Sequence, residues 1–307
     1  MEVLRVQEKQ IKELTEFIID KKLIFHPIIS PKGTPDFSNY FGEKYILIID
    51  RNIMTKIVEL CSNGTLKDMH ILKVVSSLLF WSHFNDVAIT GGLALNEYAN
   101  IKNSNDEASA ENNLFLKMFD QYPTKTWLDL FERKIDSVPK IKNLSNNEYV
   151  FDVKSSHQQM HLAEMLHIFS LYLNQELTVT EKMIELLKWI DKNILFCIYT
   201  VVYAALLFTK QVKQPKLKEF KSIDNIIKNS SNQAWDLTYL SFWSTLYWYE
   251  NTGDTIYLFA TMDKDLKKVF INAHNTDDNL FIRYFGETEG YRINVEYKKI
   301  LKNRPLC

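Results

Sequence analysis

The sequence predicts an α/β protein, a central parallel sheet flanked by helices and carrying a large, mostly helical insertion. Three observations predict it. Two short apolar runs, Tyr45 to Ile49 and Thr255 to Thr261, read as strands buried on both faces, the habit of parallel sheets. Stretches with helical spacing alternate with such runs at both ends of the chain, as crossover connections require. Between them, residues from about 113 to 230 are almost wholly helical in pattern.

Taken in order, residues 4–22 place Leu4, Ile11, Leu14, Phe17 and Ile18 on one face of an amphipathic helix. Pro27, Pro31, Gly33, Pro35 and Gly42 then mark a loop. A strand covers 45–50, and helices are expected at 53–62 and 66–83. Asp86 to Thr90 reads as a second strand, closed by Gly91 and Gly92, with a helix over 93–101. The polar stretch Asn103 to Asn113 is expected to be a loop. Helices follow at 113–121, 125–134, 156–175, 180–191 and 193–209, with a weak strand signal at Tyr149 to Val153. A helix over 234–250 is broken by Gly253 and followed by the strand 255–261 and a helix over 266–273. Leu280 to Phe285 and Tyr291 to Val295 are expected as the last strands. This assigns 1–104 and 232–307 to one α/β domain and 105–231 to the helical insertion.

A chain of 307 residues, 46% apolar and 24% charged, has ample material for a core and the composition of a soluble globular protein. The net charge of −1 argues against a strong overall field toward nucleic acid or membrane. Lysines gather at 210, 213, 216, 218 and 221 and at 264, 267 and 268, most simply as solvated faces. Cys61, Cys197 and Cys307 lie far apart with no paired spacing, which fits a reducing, cytoplasmic setting. The longest apolar run, Ile194 to Phe208, falls short of the roughly 20 residues that span a bilayer, so no membrane span is expected.

Four acids occupy comparable places in the α/β parts. Asp50 ends the first strand, Glu97 lies in the helix after the second, Asp236 opens the helix expected at 234, and Asp263 follows the last apolar strand. On a parallel sheet all four can face its carboxyl edge, where ligands collect. Clustered carboxylates repel, and a hard divalent cation, Mg²⁺ or Mn²⁺, resolves that conflict. Each acid also has an ordinary reading, as a turn, a helix cap or a solvated helix residue.

Ile49-Asp50-Arg51-Asn52, the Glu of Asn96-Glu97-Tyr98, the Asp of Ala234-Trp235-Asp236-Leu237 and Thr261-Met262-Asp263-Lys264-Asp265-Leu266, in this order, resemble the motifs of PIN-domain nucleases. The resemblance covers about 150 residues, at 44–102 and 232–275. It implies a Rossmann-like sheet and metal-dependent cleavage of RNA. Asp50, Glu97, Asp236 and Asp263 would hold the cation, with Asp265 as an alternative to Asp263. Asn52 and Thr261 would steady the acids or bound water. The spacing from Glu97 to Asp236 is much longer than in a compact PIN domain.

His157, His161 and Glu164 share a helical face, with His167 nearby, and read as a polar face or, less simply, a metal site. No Gly-x-Ser-x-Gly element or phosphate-binding glycine loop occurs. The aromatic run Trp235, Tyr239, Phe242, Trp243, Tyr247, Trp248 and Tyr249 has the spacing of a packed helix. The expectation is a metal-dependent ribonuclease with RNA as substrate and, at the insertion, a contact for an inhibitory or scaffold protein. The alternatives are a non-catalytic PIN-like binding or scaffold protein and a mainly helical regulatory protein.

Overall fold

The computed structural model describes residues 6–33, 43–142, 146–216, 222–248, 255–275 and 278–303. Gly253, Pro35, Gly42, Lys218, Lys221, Tyr249 and Cys307 lie outside the described residues. The elements in chain order are α1 (Glu8–Lys21), β1 (Ile24–Phe25), β2 (Lys44–Ile49), α2 (Arg51–Asn63), α3 (Met69–Phe84), β3 (Ala88–Thr90), α4 (Gly92–Lys102), α5 (Asn105–Gln121) and α6 (Thr124–Phe131). They continue with α7 (Ser156–Leu173), α8 (Val179–Asn193), α9 (Ile198–Phe208), α10 (Ile223–Trp248), β4 (Thr255–Ala260), α11 (Lys264–Ala273), α12 (Leu280–Phe285) and α13 (Glu287–Asn303). The described residues form a mixed α/β structure and are 66% helical.

The chain divides into two compact units, residues 1–153 with 245–263, and residues 154–244 with 264–307. The division falls at other residues than the expected 104 and 232. Helices α5 and α6 belong with the sheet, and the C-terminal helices belong with α7 to α9. None of the described strands lies between 105 and 231.

In the first unit the sheet runs β1-β4-β2-β3. β2 is parallel to both β3 and β4, while β1 closes the far edge antiparallel to β4. Both β2 and β4 are buried over their carboxyl halves, Leu47 to Ile49 and Leu258 to Ala260. Leu14, Ile18, Ile53, Met54, Ile57, Val75 and Leu79 pack with Leu47, Ile49, Leu258 and Ala260 into one core. Removing such apolar surface from water contributes roughly 1.5–3 kcal/mol for each fully buried large side chain.

The second unit is helical. Every residue of α9 from Tyr199 to Phe208 is buried, because α7, α8, α11 and α12 all pack against it. Trp243 packs against Phe270 with ring centroids 5.2 Å apart. Burial pushes the Cys61 thiol, in the first unit, up to about 12 and the Cys197 thiol up to about 11, which leaves both protonated and unreactive.

Several expectations are corrected. Asn103 to Asn113 is not a loop, since α5 starts at Asn105 behind an extended Ser104 with Asp106 and Glu107 in its first turn. Its polar residues have a different purpose. Asn105, Ser109 and Asn113 recur every fourth residue and bond the backbone of the segment 147–153: Phe151 N–H to Asn105 Oδ1 at 3.0 Å, Tyr149 N–H to Ser109 Oγ at 2.9 Å, and Asn113 Nδ2 to Asn147 O at 2.8 Å. From α4, Asn96 accepts Asp152 N–H at 3.0 Å and Asn100 donates to Val153 O at 2.7 Å. The expected strand Tyr149 to Val153 is therefore irregular chain, turning at Val153 and held by helix side chains, not a sheet member.

The two expected C-terminal strands are helices α12 and α13. Short aromatic runs fit either structure, and local signals decide. Asn279 caps α12 by accepting from Phe281 and Ile282 N–H, and Gly286 closes it at φ 81°. Within α13, a Cβ on Gly290 would lie 2.6 Å from the Ile282 backbone, so glycine permits the close packing of α12 on α13. Helix α10 begins at residue 223, where Ser222 Oγ accepts Asn225 N–H, so Asp236 sits inside it rather than opening it. The two-residue strand β1 is too short to leave a periodic signal.

Candidate active site at the carboxyl edge of the sheet

Chain order dictates where a site can form in the first unit. The first crossover carries the chain from β2 to β3 on one side, and the chain later returns as β4 on the other. The carboxyl ends of β2 and β4 thus border the topological switch point, where open α/β sheets bind ligands. The register pairs Ile49 with Ala260, so the next residues, Asp50 and Thr261, fall side by side. Asp50 N–H still donates to Ala260 O at 3.1 Å beyond the last pair.

Asp50 is the N-cap of α2, with Oδ1 accepting Ile53 N–H at 2.8 Å. Its Oδ2 accepts the Thr261 hydroxyl at 2.5 Å. The Thr261 oxygen in turn accepts Asp263 N–H at 2.9 Å, so one buried hydroxyl ties the two acids together. Asp50 is only 2% exposed, and burial pushes its carboxyl up to about 6 against hydrogen bonds from Thr261, the Ile53 amide and Asn52. The nearby Asp263 charge pushes it in the same direction. Arg51, next in the chain, is held by Glu111 at 2.5 and 2.9 Å and lies 4.1 Å from the Tyr98 ring.

The structure therefore brings together Asp50, Asn52, Thr261 and Asp263. Glu97 stands half-buried in α4, between Asn96, which holds Asp152 N–H, and Tyr98, whose hydroxyl donates to Glu107. Asp236 and Asp265 belong to the second unit. There Asp265 accepts Lys213 N–H at 3.1 Å and supplies the acid of the first turn of α11. Among the described residues no group of three or more His, Cys, Asp or Glu is arranged to hold a metal.

The donor set at Asp50 nevertheless suits a hard cation. Its ligands would be carboxylate oxygens, and Mg²⁺ is commonly held by one or two carboxylates with water and substrate phosphate completing the shell. The two Asp50 oxygens accept from Ile53 N–H, the Thr261 hydroxyl and Asn52, which leaves lone-pair capacity on a carboxylate with about four acceptor sites. Asp50 and Asp263 would hold the cation, which would meet the buried charge that burial now opposes.

In the second unit, His157, His161 and Glu164 do share one face of α7, and the structure adds two residues the sequence reading missed. Thr200 from α9 and Ser241 from α10 bond to this face. They lie 36 and 80 residues from their partners, a distance no motif bridges. His167 turns away and stacks on Trp189 at 4.4 Å.

Comparison of the chain with protein-family models, with curated proteins and with solved structures finds no match.

Proposed function

We propose that the first unit is a PIN-like domain and that the protein is a divalent-cation-dependent ribonuclease centred on Asp50. The observation that carries this reading is a buried carboxylate at the switch point of the sheet with a second acid beside it. An N-cap needs a polar side chain, but Asn or Ser serves as well without a charge. A charge kept where burial opposes it fits a residue selected for binding.

In this reading Asp50 and Asp263 hold Mg²⁺ or Mn²⁺, and Thr261 fixes the spacing between them. Asn52 bonds Asp50 and steadies its carboxylate. Glu97 is the third of the candidate acids that lies in the same unit. The bound cation would lower the pKa of a coordinated water and stabilise charge on the phosphate. The protein's own part is to hold the Asp50 carboxylate in a fixed orientation through Thr261, the Ile53 amide and Asn52.

The expected outcome is cleavage of single-stranded RNA by the purified protein with Mg²⁺ or Mn²⁺, abolished by chelator and by Asp50→Asn. The cation alone should also raise the melting temperature of the wild type at pH 7 and leave Asp50→Asn unmoved. One observation favours a second reading, a non-catalytic PIN-like binding or scaffold protein: both Asp50 oxygens already serve the fold. An unchanged melting temperature with either cation, together with no cleavage, selects the scaffold.

A further inference from the structure

Ser241, His161 and Glu164 form a continuous hydrogen-bonded relay inside the second unit. Ser241 Oγ lies 2.6 Å from His161 Nε2, and His161 Nδ1 lies 2.5 Å from Glu164 Oε2. The same Glu164 oxygen accepts the Thr200 hydroxyl at 2.6 Å. His161, Glu164 and Thr200 are fully buried. A nucleophile within hydrogen-bond reach of a base, itself oriented by a third group, is the arrangement that activates a serine.

One assignment of hydrogens makes the relay productive. In it Thr200 donates to Glu164 Oε2, and a hydrogen on His161 Nδ1 meets the same oxygen. His161 Nε2 then accepts from Ser241 once the serine hydroxyl turns its hydrogen from Thr238 O, the acceptor it otherwise reaches at 3.3 Å, to the imidazole. A second imidazole, His157, has its Nε2 2.7 Å from the same Ser241 oxygen. With the serine hydrogen turned to His161, His157 Nε2 donates to Ser241 Oγ. Ser241 Oγ thus faces a base on one side and an N–H donor on the other. In a packed helix a serine is ordinarily satisfied by the carbonyl one turn back. Here that bond, to Thr238 O, is the longest of the three at 3.3 Å. Glu164 Oε1, also buried, accepts no hydrogen bond from any described residue. The relay therefore keeps a buried polar oxygen without a hydrogen-bond donor, a cost that packing alone would not require.

We propose that Ser241 is a second reactive centre, a serine nucleophile activated by His161 and Glu164 that takes the acyl group of a small, uncharged carboxylic ester. The small substrate follows from access. Ser241 is 7% exposed, and the partly exposed rings beside it are His157 and Phe242, 6.4 Å apart in an edge contact. In the reaction Ser241 Oγ bonds to the acyl carbon and its proton passes to His161 Nε2. The ester C–O bond breaks and His161 returns the proton to the departing alkoxide. Water then attacks the acyl-serine through the same base, releasing the carboxylic acid and restoring Ser241. His157 N–H stands beside the tetrahedral centre as a donor. Glu164 and Thr200 are positioning residues that act through His161. No cation takes part, so this centre is independent of the site at Asp50.

The test is labelling of the full chain with a fluorophosphonate probe in the presence of chelator, read by intact mass and peptide mapping, with 4-nitrophenyl acetate hydrolysis in parallel. One label per chain on Ser241 is expected. His161→Gln should slow labelling by about 100-fold or more, the usual worth of a general base. Glu164→Gln should move the pH profile of labelling, which a merely structural contact would not do. Ser241→Ala should remove the label, and Ser241→Cys, which retains the contact, should move reactivity to iodoacetamide. Wild-type protein that stays unlabelled, or that labels at another serine, overturns the proposal without requiring any variant to fold. Labelling of Ser241 that is unchanged in folded His161→Gln also overturns it.

Discussion

At the scale of single residues, Asp50 does two things that pull against each other. It caps α2 and receives Thr261, which favours its ionised form, yet burial holds its carboxyl near 6, above the ordinary 3.8. A carboxyl raised in this way keeps its proton in the folded state over a range where the unfolded chain has lost it. The folded state is therefore penalised progressively as pH rises from about 4 to about 6, and the penalty is complete above that. A shift of this size corresponds to about 3 kcal/mol. Asp50→Asn keeps the cap, since Asn ranks with Asp there, and removes only the charge. The difference in unfolding free energy between Asp50→Asn and wild type, measured by urea titration, should grow by up to about 3 kcal/mol between pH 4 and pH 7. A difference that is flat across this window would mean that Asp50 is not held neutral by its surroundings. The same substitution is expected to abolish cleavage, so lost activity and gained stability would appear together.

At the scale of elements, α5 shows a helix whose polar stripe does the work of a strand. Asn105, Ser109 and Asn113 bond a neighbouring irregular segment through its backbone, and Val150 in that segment is 95% exposed. The contact therefore reads main-chain groups and is tolerant of side chains. Asn105→Ala should raise hydrogen exchange at the Phe151 amide by about fivefold, the equivalent of one net hydrogen bond of about 1 kcal/mol. The Tyr149 amide, bonded to Ser109, should respond less. Equal loss of protection along the whole segment would show that it detaches as one piece. The stripe also explains what the sequence concealed. The apolar runs of β2 and β4 announced strands because parallel strands are buried on both faces. Polar residues at every fourth position looked like a loop because their partner, 34 to 46 residues away, was invisible. The pairing of Asp50 with Asp263 was legible from the strand ends alone. The Ser241 relay was legible only in part, because His161 and Glu164 share a face of α7 whereas Ser241 reaches them from α10, 80 residues along the chain.

At the scale of the whole molecule, the chain leaves and re-enters each unit, passing at residues 153–154, 244–245 and 263–264. The first unit is thus completed by a short return segment that carries β4. This strand separates β1 from β2 and supplies Thr261 and Asp263. A chain ending at Ser244 keeps most of the residues of both units but loses the middle of the sheet. Such a chain is expected to lose near-ultraviolet circular dichroism and to bind 1-anilinonaphthalene-8-sulfonate, whereas the full chain should not. Retained native signals in the truncated protein would mean that β4 is dispensable to the core.

The same topology sets a clock. Asp50 leaves the ribosome 211 residues ahead of Thr261. At synthesis rates of about 5–20 residues per second, the wait is roughly 10 to 40 s. Throughout it one edge of β2 has no neighbour and β1 has no sheet to join, which leaves backbone groups of an apolar strand open to other chains. The nascent protein is therefore at its most vulnerable to aggregation while it is being made, and its yield in cells should depend on ribosome-associated chaperones more than its final stability would suggest.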